Sequence, residues 1–135
     1  MNILRNAIET PDGTILESYH RHDFKTHLDS VTGETYMLDG GLSYIRGSVN
    51  KIPATSLVLT EDDPLTKTRE NFSWGCRGIN GDQPLKRVLL KDLSNEHITN
   101  IVNTQVHLPD YMVDLFVEEL LYRADNGIEI LDGGY

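Results

Sequence analysis

The first sixty residues alternate polar and apolar side chains in short runs, which is typical of strands with one face in water. Pro11-Asp12-Gly13 separates the first two runs and Gly33 lies between the next two, so two β-hairpins are predicted. Short strands are also expected over residues 42–47 and 55–60. Pro53 lies between them and limits any strand beside it to a sheet edge.

The second half of the chain carries the apolar spacing of helices. A first helix is expected over residues 61–72, with Asp63 as N-cap and Pro64 at the first helical position. A second is expected over residues 94–105, with Ser94 as N-cap. Its apolar face would consist of Ile98, Ile101 and Val102.

The third predicted helix has the clearest boundaries, because Pro109 favours its start and Asn126-Gly127 favours its end. Apolar residues recur along it at the spacing of one helix face, which we therefore expect to be buried. A final strand is expected over residues 128–135. The predicted buried residues of the helix are Val113, Phe116, Val117, Leu120 and Leu121.

These elements predict an α+β fold. A glycine-rich loop over residues 74–84 and a strand over 85–90 separate the first two helices. We expect one domain over residues 1–135, in which N-terminal antiparallel hairpins (about 1–60) form a small sheet. That sheet would pack against two to three helices of the C-terminal half (about 61–127).

Charge narrows the classes of partner. The 135 residues carry a formal net charge of −9, which argues against binding to duplex nucleic acid or to anionic membranes. A small anionic ligand remains compatible, since a few arginines can converge inside an acidic protein. Hydrophobic residues make up only 39% of the chain, so the core is modest and a homo-oligomer is expected.

Cysteine usage and the N-terminus both favour a reducing compartment. Cys76 is the single cysteine, which leaves no intramolecular disulfide and no cysteine-based zinc cage. The first residues contain no apolar stretch of the kind found in signal peptides. We therefore expect the protein to act in a cytoplasm.

Polar and aromatic residues with binding chemistry concentrate between residues 19 and 46. Arginines could clamp a phosphate or carboxylate, histidines could add donors, and tyrosine and tryptophan rings offer flat faces to a base or sugar. Glycine-rich turns would let backbone amides approach a ligand. The candidate ligand-binding residues are His20, Arg21, His22, Asp23, Asp39, Tyr44, Arg46, Trp74 and Arg77.

The same residues admit three other interpretations. As a metal site, His20 and His22 would share one face of a strand with His27 nearby, but no second ligand motif supports them, so neither metal nor cofactor is expected. As a catalytic site, a histidine could be oriented by Asp23 or Asp39, although no nucleophile signature accompanies it. They could also be ordinary surface and core residues.

The motifs resemble those of a family of uncharacterised small proteins from tailed bacteriophages, and the likeness covers nearly the whole chain. Shorter relatives carry cysteine pairs near the two predicted turns, as in a zinc ribbon, whereas this chain has none there. The matching elements are His20-Arg21-His22-Asp23-Phe24, Asp39-Gly40-Gly41, Tyr44, Arg46, Trp74-Gly75, Arg77-Gly78, Gln83-Pro84-Leu85, His97 and Tyr122-Arg123.

The resemblance implies action in the cytoplasm of a bacterial host, and no established activity. Phage accessory proteins of this size commonly blunt host defence, for example by sequestering a nucleotide-derived signal. Capture of a small anionic, nucleotide-like ligand is therefore the first functional hypothesis. An inhibitor or modulator of a host enzyme, and a small nucleotide-processing hydrolase with a His–Asp pair, are the alternatives.

A single pocket is the geometric prediction of that hypothesis. The second hairpin would bring Asp23 and Asp39 close together, where two carboxylates need compensating cations. Arg21, Arg46 and the histidines at positions 20 and 22 are the expected compensators, and the loop that follows Trp74 would form the rim.

Overall fold

A computed structural model describes residues 1–78 and 80–131 and divides the chain into two compact units, Met1–Asp62 and Asp63–Tyr135. The predicted α+β class is confirmed: antiparallel strands form small sheets in the N-terminal half, and three helices lie in the C-terminal half. The boundary is close to the predicted change from β-rich to helical sequence near residue 60. That the units form one domain stays a prediction.

The N-terminal unit consists of seven short strands, all of whose pairs are antiparallel. The strands are β1 (Ile3–Glu9), β2 (Ile15–Ser18), β3 (Lys25–Leu28), β4 (Thr35–Asp39), β5 (Arg46–Gly47), β6 (Thr55–Ser56) and β7 (Leu59–Thr60). One sheet has the order β2-β1-β6, with β7 also paired to β1, and the other has the order β3-β4-β5. Both predicted hairpins, β1-β2 and β3-β4, are therefore present.

The core of this unit forms where alternate residues of β2 and β4 point inward. Leu16, Tyr36 and Leu38 are buried together, and Ile8 and Ala54 pack against them. Burial of these side chains is the main favourable contribution to folding. The end of β4 is thereby fixed next to the core, where polar residues follow in the sequence.

The C-terminal unit combines a hairpin with three helices and a short 3-10 helix (Leu90–Asp92). The predicted loop over residues 74–84 is wrong in its first part, because Trp74 pairs with Val88 and Cys76 with Lys86 in the hairpin. The elements are α1 (Leu65–Asn71), β8 (Ser73–Cys76), β9 (Lys86–Leu89), α2 (Asn95–Thr104) and α3 (Asp110–Asn126).

Three of the predicted helix boundaries are confirmed and one is shifted. Ser94 caps α2 by accepting a 3.0 Å hydrogen bond from the His97 amide, and α3 runs from just after Pro109 to the left-handed Gly127. Helix α1 begins one residue later than predicted, so that Pro64 is the N-cap and Asp63 is not. The Asp63 carboxylate instead accepts from the Lys67 ammonium group at 3.1 Å.

The predicted buried face of α3 is largely wrong. Phe116 is fully buried as expected, and its ring lies 5.3 Å from that of Trp74. Val117 and Leu121 are 40% and 60% exposed. The helix is rotated relative to the prediction because it also buries two charged side chains. Its buried residues are Met112, Leu115, Phe116, Glu119 and Arg123.

The tail does not form the predicted strand over residues 128–131, and residues 132–135 lie outside the described part of the chain. Ile130 and Asn95 instead exchange two hydrogen bonds, one to the Asn95 side chain and one from its backbone amide. Within residues 1–78 and 80–131, no helix has the length and apolar character required to cross a membrane.

Candidate functional site

Two tight turns of the N-terminal unit lie against each other and carry most of the predicted site residues. In the first, the Asp23 amide donates to the His20 carbonyl at 3.0 Å, and His22 adopts a φ of 64°, which is uncommon for a residue other than glycine. The second turn follows β4 at Gly40 and Gly41, with the Tyr44 amide donating to the Gly40 carbonyl.

Glycine is required for this close approach. A Cβ atom on Gly41 would lie 2.3 Å from the backbone carbonyl carbon of His20, and one on Gly40 would lie 1.9 Å from the Tyr44 carbonyl oxygen. Both glycines also have positive φ. The Ser18 hydroxyl joins the turns, since it accepts from the Gly41 amide at 2.9 Å and donates to the Asp23 carbonyl at 2.7 Å.

Tyr44 links His22 to Asp39. The phenol hydroxyl donates to Asp39 Oδ2 at 3.1 Å and lies 3.1 Å from His22 Nδ1. Because the phenol proton is used by Asp39, Nδ1 of His22 must be the donor to the phenol oxygen. That assignment leaves Nε2 of His22 as the nitrogen available to another molecule. These three residues are the His22–Tyr44–Asp39 cluster.

The floor of this cluster contains unsatisfied oxygen atoms. Asp39 is only 6% exposed, and its Oδ1 has no hydrogen-bond partner among the described residues. Asn6, fully buried on β1, donates to the backbone carbonyls of Asp39 and Tyr44 at 3.1 and 3.2 Å, but its own Oδ1 is likewise without a partner in residues 1–78 and 80–131. Buried acceptors are normally paired, so a donor from outside the chain would stabilise this floor.

The two aspartates of the prediction have different partners. Burial would raise the pKa of Asp23, but the Tyr19 amide, Lys25 and His20 outweigh it and hold that pKa below its ordinary value. The Tyr19 amide donates at 2.8 Å and the Lys25 ammonium group lies at 3.5 Å. Lys25, which was not among the expected compensating cations, is thus closer than His20 at 3.9 Å.

Arg21 and Arg46 are exposed and carry no ion pair or side-chain hydrogen bond within the described ranges. Arg46 pairs with Asp39 in the β4-β5 register, so the two side chains start from the same face. By contrast, Arg5 of the same unit is paired with Glu17 at 3.1 Å. The guanidinium groups of Arg21 and Arg46 are therefore not neutralised by any residue in the described ranges.

A second polar cluster, which sequence analysis did not predict, joins the two hairpin turns. One ligand-type atom each of Asp12, His27 and Asp29 lies within 4.8 Å of the others, a spacing compatible with a metal ion. His27 Nε2 is 2.8 Å from Asp12 Oδ2. The available signal was the aspartate in each turn together with His27 on the strand between them.

Protein donors already surround the carboxylates of this Asp12–His27–Asp29 cluster. The hydrogen bonds from Thr14, His27 and Ser30 hold the pKa of Asp12 far below its ordinary value. A cation would have to displace these donors, so the cluster fits a hydrogen-bonded clasp better than a metal centre. The carboxylate of Asp29 accepts from the backbone amides of Asp12, Val31 and Thr32.

Trp74 and Arg77 belong to the C-terminal unit, where they line a cavity of about 320 Å³. The walls are β8 with the residues after it and the exposed side of α2. That these two residues form the rim of the N-terminal cluster stays a prediction. We call this space the Trp74 cavity; its polar lining includes Arg77, Glu96, His97, Asn100 and Gln105.

A buried ion network accounts for the rotation of α3. The Glu119 carboxylate accepts two hydrogen bonds from Arg69, at 2.9 and 3.1 Å, and one from Arg123 at 2.7 Å. Arg123 also donates to the Asn95 side chain and to the Leu90 carbonyl. Every charge in this Arg69–Glu119–Arg123 network is thus paired, which is the condition for burying it.

Comparisons of the chain with protein-family models, with curated proteins and with solved structures gave no match.

Proposed function

We propose that the protein captures a small anionic, nucleotide-like ligand at the His22–Tyr44–Asp39 cluster. One observation carries the proposal: Arg21 and Arg46 have no ionic partner among residues 1–78 and 80–131, in a chain that has nine more acidic than basic residues. In such a chain an acidic neighbour is easily supplied. Guanidinium groups left unpaired beside a histidine and a tyrosine are suited to an anion from outside the protein.

The proposed ligand would meet donors at the rim and acceptors at the floor. Arg46 offers a planar fork that matches a phosphate or carboxylate, and Nε2 of His22 faces away from its bond to Tyr44. Below them, Oδ1 of Asp39 would accept from a hydroxyl or amino group. A molecule that carries both an anionic group and such donors, as nucleotides do, satisfies the two requirements together.

The proposed biological role is anti-defence sequestration by a bacteriophage protein in the cytoplasm of its host. It is supported by the resemblance of the His20–Phe24, Asp39–Gly41 and Tyr44-x-Arg46 motifs to small phage proteins. Sequestration requires affinity but no chemistry, so a site built from donors and acceptors is sufficient.

Calorimetric titration with a panel of linear and cyclic mono- and dinucleotides tests the binding proposal. Arg46→Ala should abolish binding at the His22–Tyr44–Asp39 cluster, which removes one binding event from the titration and leaves binding at any other site in place. Arg46→Lys should weaken the same event at least about tenfold because an ammonium group cannot reproduce the fork. Lys51→Ala, which removes the same charge from an exposed position of the same unit, should bind like the parent. Binding that survives Arg46→Ala unchanged would contradict the proposal.

The hydrolase alternative is supported by the connection of His22 to an aspartate through Tyr44. It differs from sequestration in one observable. If the panel nucleotides are recovered intact after incubation with stoichiometric protein, the site binds without turnover. Conversion of any of them, lost in His22→Ala, would favour the enzyme.

Modulation of a host enzyme is the other alternative, and exposed apolar residues of the N-terminal unit favour it. Phe24, Leu28, Val31, Val49 and Ile52 are all more than half exposed. A protein partner that covers them would bind equally to the parent and to Arg46→Ala. Co-purification of a host protein that is insensitive to Arg46→Ala but lost in Val49→Asp would therefore support modulation.

A further inference from the structure

The Trp74 cavity of the C-terminal unit is separate in its residues from the proposed N-terminal site. Its volume of about 320 Å³ falls at the lower end of the range found for small-molecule sites. Trp74 contributes an aromatic ring, and Cys76 and Ile101, which are 3% and 4% exposed, contribute an apolar floor. Burial raises the pKa of the Cys76 thiol, so the floor is uncharged.

Polar side chains without hydrogen-bond partners in the described ranges line the edge of the cavity. The side chains of Asn100 and Gln105 have no hydrogen-bond partner within residues 1–78 and 80–131, and neither has the guanidinium group of Arg77. His97 also lines the cavity, and its Nδ1 is a buried atom without a partner in the same ranges. A buried nitrogen in this state normally contacts a ligand or ordered water.

We propose that this cavity binds a mononucleotide. The base would stack on Trp74, since a planar ring is the shape that pairs with an indole face. The amides of Asn100 and Gln105 would read its edge, because each amide offers one donor and one acceptor. Arg77 would hold the phosphate, and the exposed carboxylate of Glu96 would accept from ribose hydroxyls and repel a phosphate at its own end.

The inference does not depend on the N-terminal site and is tested without it. Trp74 is the only tryptophan, so its fluorescence reports on this cavity alone. The Arg46→Ala protein, titrated with the 5′-monophosphates of adenosine, guanosine, cytidine and uridine, should give a saturable change with at least one of them. Ribose 5-phosphate should give none.

Single substitutions test the role proposed for each residue of the cavity. Asn100→Ala should weaken the nucleotide by about tenfold and Gln105→Ala by a similar factor. Arg77→Ala should weaken the monophosphate about ten- to hundredfold but leave the matching nucleoside within about twofold. Asn103→Ala is the matched control, because Asn103 is an exposed asparagine of α2 outside the cavity lining.

Three results would overturn the inference. One is the absence of saturable binding by both fluorescence and calorimetry with all four monophosphates. The second is equal affinity for ribose 5-phosphate, which would mean that no base is recognised. The third is unchanged affinity in both Asn100→Ala and Gln105→Ala proteins that keep the circular dichroism spectrum of the parent.

Discussion

Two pairs of arginines, one pair in each unit, have opposite situations. Arg69 and Arg123 of the C-terminal unit are paired with the buried carboxylate of Glu119. Arg21 and Arg46 of the N-terminal unit are exposed, and no described residue neutralises them. The same type of side chain therefore stabilises the fold in one pair and has no ionic partner among the described residues in the other. Pairing within the chain, more than residue type, separates the arginines that stabilise the fold from those for which we propose a binding role.

Disrupting the Arg69–Glu119–Arg123 network should have the largest effect on the stability of the protein. Glu119→Gln keeps the shape of the side chain but leaves the fully buried Arg123 and the partly buried Arg69 without a counter-charge. We expect a loss of about 3–5 kcal/mol in the free energy of unfolding, measured by denaturant titration. Glu118→Gln, at an exposed position one residue earlier in α3, should change it by less than about 0.5 kcal/mol.

A loss below about 1 kcal/mol in Glu119→Gln would contradict the claim that the Arg69–Glu119–Arg123 network stabilises the fold. It would mean that solvent reaches the guanidinium groups.

The close contact between the turn at Gly41 and the backbone of His20 should be the feature whose disruption has the next largest effect on stability. Gly41→Ala places a Cβ against the His20 backbone at a φ of 53°, so strain and overlap add to about 2–4 kcal/mol. Gly33→Ala imposes positive φ without any atom within 4 Å and should cost about 1–2 kcal/mol. Equal losses in thermal unfolding of the two variants would show that the two turns are not in contact.

Acid should gradually weaken the Asp12–His27–Asp29 cluster, with a smaller effect on stability than the substitutions above. Since hydrogen bonds lower the pKa of Asp12 in the folded protein, its contribution to stability is complete above the unfolded-state pKa of 3.8 and falls as the pH drops further. Denaturant titrations between pH 5 and about pH 2 should therefore show a steeper decline for the parent than for Asp12→Asn. Asp62→Asn, an exposed control, should decline like the parent. Parallel curves for the parent and Asp12→Asn would contradict the claim that hydrogen bonds to the Asp12 carboxylate stabilise the folded protein.

Local chemistry in the sequence was sufficient to predict much of the fold. The hairpins follow from Gly13 and Gly33, which adopt the positive φ that their turns require. The bounds of α3 follow from Pro109 and Gly127, and the start of α2 from Ser94. In each case the residues that determine the feature are adjacent in the chain.

Features that depend on distant residues were missed. The buried face of α3 is set by Glu119 and its partner Arg69, fifty positions away, and helical periodicity contains no information about that pairing. The Asp12–His27–Asp29 cluster depends on how two hairpins meet. At the candidate site, the turn glycines and Asp39 were recognised, but the link through Tyr44 required the structure.

Removing an unpaired arginine should have the smallest effect on stability. Arg46→Ala is expected to change the free energy of unfolding by less than about 0.5 kcal/mol, because the residue is exposed and without an ion pair in the described part of the chain. Equilibrium denaturation provides the measurement. A loss above about 1.5 kcal/mol would assign Arg46 a structural role like that of Arg123.

Native mass spectrometry of the protein isolated from phage-infected, defence-active bacteria tests the central claim most directly. We expect a bound small molecule that is released on denaturation with the mass of a nucleotide. Its occupancy should be equal in the parent and in Lys51→Ala and lower by about one molecule per chain in Arg46→Ala, in which only a nucleotide in the Trp74 cavity would be retained. A parent protein without any bound small molecule, or an Arg46→Ala protein that retains it at the same occupancy, would contradict the account.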